Sequence, residues 1–365
     1  MIIAAHIFAA SLSQSGLYNS LLLLARQQPS ISFIFLLDEK LVIDTDLPDN
    51  ISLVKVDAPK NGLTLRYWCT IKMPALLKKY KASHFISETG AIGSRINIPQ
   101  FIFLNSAAFL QKKPFIAQPY SKYLNKNFSE FIEKASGIFV AENFIADAVT
   151  KQYREAASKI RLVRHGLNAG FKPVNWEEKE QFLETFSDGT EYFIAECSVL
   201  TRQNILSLLK AFSLFKKRQK SSMKLALVLK ELSLQDCIKD FHLYKYRSDV
   251  IVVPYTNEET YAKILAACYA AVYLPVQIIA GPGGIDALAS GTALVTFKST
   301  AAESIYKDAA LYADLTEQSV ADKMMLLYKD EALRKSIIEK GLQISSQYTW
   351  TLAANEVWQA LKANP

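Results

Sequence analysis

Residues 271–305 read AVYLPVQIIAGPGGIDALASGTALVTFKSTAAESI. The apolar run 271–276 has the length of a buried parallel strand, and 292–297 is a second such run. Between them lie Gly281, Pro282, Gly283 and Gly284, then a short helical stretch, 285–290, closed by Gly291. A strand feeding a glycine turn and a helix start makes an anion site, because unpaired N–H groups and the helix dipole point at the turn. Glycines let a phosphate approach the backbone closely, whereas Pro282 removes one N–H. The same pattern also fits a plain tight connection between strand and helix.

Further along come Ala301-Ala302-Glu303 and Asp308-Ala309-Ala310-Leu311-Tyr312. Together with Asp286-Ala287-Leu288-Ala289-Ser290-Gly291, this order resembles the donor-sugar segment of family 4 glycosyltransferases. The resemblance implies an α/β protein of the GT-B fold, two Rossmann-like domains whose parallel sheets face an interdomain cleft. It places the acceptor-side domain at 1–168, a linker at 169–178, the donor domain at 179–345 and a terminal helix crossing back at 346–365. The family's first acid is replaced by Ile278, and its second, which grips the ribose diol, by Asp286.

Composition agrees with a folded enzyme-sized chain. Its 365 residues allow about two domains, and half of them are hydrophobic, which excludes a disordered chain. The net charge of +7 suits anionic small molecules or an acidic membrane face; without a dense basic block it does not suggest nucleic acid. The cluster Lys216-Lys217-Arg218 reads as the solvated end of a helix. Cys69, Cys197, Cys237 and Cys268 have no metal-like spacing and read as core thiols of a reducing compartment. The apolar N-terminus lacks the basic start of a signal peptide and reads as a strand, and no run approaches the roughly 20 residues of a membrane span. A cytoplasmic protein, at most peripheral to the inner membrane face, is expected.

Apolar runs at 2–10, 31–37, 51–56, 84–88, 100–104, 137–141 and 160–163 alternate with helical patterns, the signature of a parallel sheet with right-handed crossovers. Ser15 and Gly16 lie where the first strand's loop meets a helix, on the ligand-binding edge of such a sheet. Residues 65–80 read as an amphipathic helix presenting Trp68, Ile71, Leu76 and Leu77, bent at Pro74. His6 and His84 read as satisfied structural histidines. Asp44-Thr45-Asp46 spells a metal-binding triplet of another glycosyltransferase fold, but reads here as a solvated loop. Residues 115–134 are aromatic and basic, and read as an amphipathic helix or, by the resemblance, as a face toward acceptor or membrane. In the resembling family the strand at 100–104 ends in His-Asp; Asn105 stands there. Residues 164–168 resemble the segment that leads into the linker.

The second half restarts the α/β alternation. The family neutralises the donor diphosphate without metal, using an Arg and a Lys after the first strand of this half; Ser198 and Gln203 occupy those positions, and Arg202 is the nearby cation. The resemblance therefore implies retaining transfer of a sugar from a nucleotide donor to a glycan or lipid-linked acceptor, with no metal and no cofactor beyond the donor. Asn105 and Arg202 are the candidate catalytic residues. Ser198, Gln203, Gly281, Gly283, Gly284 and Asp286 are expected on the donor, and Ser15 and Gly16 on the acceptor side. Each lost charged hydrogen bond weakens binding by roughly 1.5–3 kcal/mol. Ile278, Ser198, Gln203 and Asn105 thus also support a second reading, a non-catalytic protein of the same fold that binds a glycan or a partner transferase. A nucleotide-sugar epimerase is a third reading, for which no acid–base set is visible.

Overall fold

A computed structural model describes residues 1–8, 12, 15–41, 46–93, 96–111, 119–280 and 283–364. The chain divides into two compact units. The first comprises Met1–Gly166, Ile279, Ala280 and the C-terminal segment from Tyr348; the second comprises the described residues of 167–278 and 283–347.

Among its described residues the first unit holds β1 (Ile2–Ile7), β2 (Ser32–Asp38), β3 (Ile51–Val56), β4 (His84–Ser87), β5 (Gln100–Leu104), β6 (Gly137–Val140) and β7 (Ile160–Leu162). They form one parallel sheet in the order β3-β2-β1-β4-β5-β6-β7. Both faces are covered, so the strands are apolar throughout, and the period of two still sorts them. Ala4, Ile34, Leu36, Phe85, Ile102 and Leu104 pack with Leu65, Trp68, Met73, Leu124, Phe128 and Ile145 on one face. Ile3, Ala5, Ile7, Phe33, Phe35, Phe101 and Phe103 pack with Leu17, Leu21, Val357 and Leu361 on the other. The helix Trp350–Lys362 lies against the helix Gly16–Gln27 there.

The second unit holds β8 (Tyr192–Cys197), β9 (Lys224–Leu229), β10 (Val250–Pro254), β11 (Ala270–Tyr273), β12 (Ala293–Phe297) and β13 (Ala310–Ala313). Its parallel order is β10-β9-β8-β11-β12-β13. A helix begins at Trp176, inside the stretch expected to be linker, with Asn175 and Glu178 forming its capping box.

Several expectations are corrected. The helix expected at 65–80 is interrupted by a π turn, Trp68–Lys72, just before Pro74. Pro74 offers no N–H, and the ladder shifts so that Met73 N–H bonds the Trp68 carbonyl, five residues back. Ile71, within this turn, is 56% exposed instead of packing on the core. Lys216 is buried, not solvated: its Nζ donates to the carbonyls of Ser221 and Met223 and pairs with Asp249 at 3.2 Å. His84 is satisfied by Ser83 and the Asn364 carbonyl. His6, by contrast, is buried against Trp68 with neither ring nitrogen partnered among the described residues, and burial lowers its pKa to about 3.

The cysteines are not all free thiols. Cys197 and Cys237 are joined in a disulfide spanning 40 residues, while Cys69 and Cys268 are free and buried. Sequence spacing carries no signal of it, because pairing of β8 with β9 is what brings the two segments together. Cys237→Ser is expected to lower stability by about 2–4 kcal/mol through the lost loop constraint. Urea unfolding with and without reductant checks this; two thiols titrated in the unreduced, unfolded chain, and four after reduction, would confirm the bond.

Candidate functional site

In open parallel sheets ligands bind beyond the carboxyl ends of the strands. At that edge of the first unit, Glu88 follows β4 and is 5% exposed. Its carboxylate accepts from Phe8 N–H at 2.9 Å, from Ser15 Oγ at 2.9 Å and from Asn105 Nδ2 at 2.9 Å. Ser15 also caps the helix Gly16–Gln27, accepting from Tyr18 N–H. One buried carboxylate thus ties the ends of β1, β4 and β5 to a helix N-terminus. Burial outweighs these hydrogen bonds and pushes the Glu88 carboxyl up to about 7.

Asn105 is oriented from both sides. Its Nδ2 faces the Glu88 acceptor, so its Oδ1 faces His165 Nε2 at 2.8 Å, which must then carry the proton. His165 is buried and its pKa is lowered to about 4 by that burial, so the ring is neutral at physiological pH. Gly16 admits the ring: a Cβ there would clash with His165 Nε2. Ser15, Gly16 and Asn105, separate in the sequence, are therefore one constellation, to which the structure adds Glu88 and His165. Beside it lies a cavity of about 440 Å³ whose walls include Glu88, Thr89, Asn105, Ser106, Asp38, Phe8, Phe103 and Phe109. Carboxylates, hydroxyls and an amide among aromatic rings suit a polyhydroxylated ligand with apolar ring faces.

The second unit has its own cluster at the corresponding edge. Glu196, near the end of β8, pairs through Oε2 with Lys230 Nζ at 2.8 Å. Lys230 follows β9 and sits 4.0 Å from the Tyr261 ring centroid and 5.6 Å from that of Tyr255. Burial opposes its charge, but Glu196, Tyr261 and Asp286 overturn this and hold its pKa above the ordinary lysine value. Asp286 is 1% exposed. Its Oδ2 accepts from Gly283 N–H at 3.2 Å, capping its own helix, Gly284–Ala289, while Oδ1 has no partner among the described residues. Burial pushes this carboxyl up to about 7, against the pull of Lys230. Gly283 has φ +125°, and a Cβ there would meet the Tyr273 ring at 2.8 Å, so only glycine fits.

The loop after β8 is pinned by Thr201, whose Oγ1 donates to the Glu196 carbonyl at 2.7 Å and accepts from Ser198 N–H at 2.9 Å. Ser198 Oγ donates to Glu196 at 3.1 Å. Ser198 is bonded to Glu196 and through it to Lys230, whose charge acts on Asp286 through space, whereas Arg202 and Gln203 are exposed. Ile278 is buried. Gly281, and Asp44 and Thr45 of the acidic triplet, lie outside the described residues. Glu196 and Lys230 escaped the sequence reading; the only signal was a charged residue at the end of an apolar strand.

No family model matches the chain, and no curated protein does. Solved structures do. A sucrose-phosphate synthase from Thermosynechococcus elongatus is similar with TM-score 0.75 at 15% identity, over 99% of this chain and 98% of that one. Anabaena HepE in complex with UDP and glucose gives 0.73 at 14% identity, over 99% of both chains. A glycosyltransferase from Rickettsia africae gives 0.70 at 13% identity, over 99% and 98%. The two Rossmann-like units with parallel sheets constitute a GT-B fold.

Proposed function

We propose that this chain is a nucleotide-sugar glycosyltransferase that moves a sugar to a glycan or lipid-linked acceptor, with retention and without metal. One observation carries the reading: full-length similarity to a GT-B protein whose structure holds UDP and glucose. In this reading the acceptor enters the first unit's cavity, where Asn105 and the Glu88 carboxylate meet its hydroxyls. The donor lies against Ser198, Gly283, Gly284 and Asp286, with Gln203 and Arg202 contributed by the loop after β8. Lys230 supplies the cation for the leaving diphosphate that the exposed Arg202 leaves short. Diphosphate charge builds as the glycosidic bond breaks, so a preplaced cation lowers the barrier.

A second reading, a glycan- or partner-binding protein without turnover, is favoured by the Glu196–Lys230 pair: the cation is already neutralised, and Asp286 caps its own helix instead of facing outward. The two readings separate in a metal-free thermal-shift screen against UDP, GDP and their sugar conjugates. A nucleotide at 100 times its Kd is expected to add about 2.7 kcal/mol of stability. A shift retained in EDTA supports the transferase; no shift with any nucleotide at millimolar concentration overturns the donor site. Product anomers read by NMR then test retention.

A further inference from the structure

We propose that the Cys197–Cys237 disulfide is a site of thiol–disulfide exchange, and that its reduction by a dithiol raises the affinity of the second unit for a nucleoside diphosphate. The choice of ligand rests on the transferase reading; the bond and its exchange do not. Cys197 ends β8, between Glu196 and Ser198, so the bond stands at the donor edge. The pairing of β8 with β9 ends there, at Cys197 and Leu229, and Lys230 N–H still donates to the Cys197 carbonyl at 2.8 Å. The disulfide then returns the chain to Cys197. Residues 230–237 are thus a closed flap, anchored by the strand pairing at one end and by sulfur at the other.

The closed flap keeps two cations occupied. At its root, Lys230 sits on Glu196 at 2.8 Å. Next to it Glu231 is held at φ +59°, a left-handed conformation that disfavours any residue but glycine. At its tip, the short helix Leu234–Cys237 lies against the turn Arg202–Asn204. Ser233 and, through space, Arg202 hold the Asp236 carboxyl below its ordinary value. Lys230 and Arg202 therefore both face carboxylates in the oxidised fold. No residue of 231–237 is buried, so the flap has little besides the disulfide to keep it down. Once it is open, Glu231 relaxes, Lys230 turns from Glu196 to a phosphate, and Arg202 loses its acidic neighbour.

The exchange has a defined course. Cys197 is fully buried, whereas Cys237 is partly exposed. A thiolate of the dithiol attacks Cys237 Sγ; the S–S bond breaks, and Cys197 leaves as a thiolate that takes up a proton. The second thiol of the reagent then attacks its own partner sulfur in the mixed disulfide and expels Cys237, which is protonated in turn. Two electrons and two protons pass to the protein, and the dithiol departs as a disulfide. Cys69 and Cys268 do not compete, because both are buried and burial pushes their thiols up to about 12.

The test is calorimetric titration of UDP into the oxidised full chain and into the same protein kept in dithiothreitol, with thiols counted in each after unfolding. The expected result is roughly tenfold tighter UDP binding in the reduced protein, the worth of one charged contact regained on the diphosphate. Tryptic cleavage at Lys239, just past the flap, should accelerate about tenfold on reduction with the far-UV circular dichroism unchanged. Cys237→Ser, which cannot close the flap, should bind UDP like the reduced wild type with or without dithiothreitol; should it not fold, the two redox forms of the wild type still decide. Equal or weaker UDP binding in the reduced protein, or a flap cleaved at one rate in both forms, overturns the proposal alone. So does a full complement of free thiols after treatment with oxidised glutathione. UDP binding in neither form overturns it together with the transferase reading.

Discussion

Glu88→Ala is expected to lower the chain's unfolding free energy by about 3 kcal/mol or more, because each buried donor left without its acceptor costs roughly 1–3 kcal/mol. The substitution strands Phe8 N–H, Ser15 Oγ and Asn105 Nδ2 together. Asn105 then loses the contact that orients its amide, and with it the acceptor for His165 Nε2–H. Urea unfolding followed by far-UV circular dichroism measures the loss; a change under 1 kcal/mol would mean that water replaces the carboxylate and that the network does not organise this edge of the sheet.

The near-isosteric Glu88→Gln separates shape from charge. Glu88 titrates at about 7 in the folded chain because burial disfavours its ionised form, against 4.5 for an ordinary glutamate. A raised carboxyl pKa means that the folded state holds the proton more tightly than the unfolded state. Its stabilising contribution is therefore complete below pH 4.5 and lost as the pH rises through about 7. The wild type should thus lose stability relative to Glu88→Gln across that window, by on the order of 3 kcal/mol. A difference that stays flat between pH 4.5 and 7.5 would show that the hydrogen bonds cancel the burial penalty.

Much of this architecture is legible in the residues because it is local. Uninterrupted apolar runs such as 100–104 have no use except in a strand covered on both faces, and Ser15 before an apolar helix pattern announces its own cap. Charges are where local reading fails. Lys216 looks like one of three solvated cations until the turn after its helix folds the Ser221 and Met223 carbonyls over it. Glu196 and Lys230 are 34 positions apart, and only the parallel pairing of β8 and β9 sets them together. Ile71 fails for a different reason: apolar composition alone counted it with the core residues, whereas it stands every fourth residue from the exposed Leu63 and Tyr67 and is exposed like them. Resemblance to a motif pointed to Arg202, which is exposed, and gave no sign of Lys230, the buried cation just after β9.

Lys230→Met should strongly destabilise the second unit. The methionine fills the aliphatic space against Tyr261 but leaves Glu196, 8% exposed at its side chain, without its cation, and Asp286 without the charge that pulls its pKa down. Breaking such a pair from one side costs about 3–5 kcal/mol, whereas replacing both partners by neutral groups is close to neutral. Lys230→Met with Glu196→Gln should accordingly regain most of the stability, so the pair's role in folding is recoverable. Its role on a diphosphate is not: if Lys230 is the donor's cation, UDP affinity should fall at least tenfold in the single variant and stay lost in the refolded double variant. Calorimetric titration of UDP into the double variant decides between the two. Affinity restored along with stability would mean that Lys230 only neutralises Glu196, and that the donor edge of this chain carries no cation for a phosphate on β9.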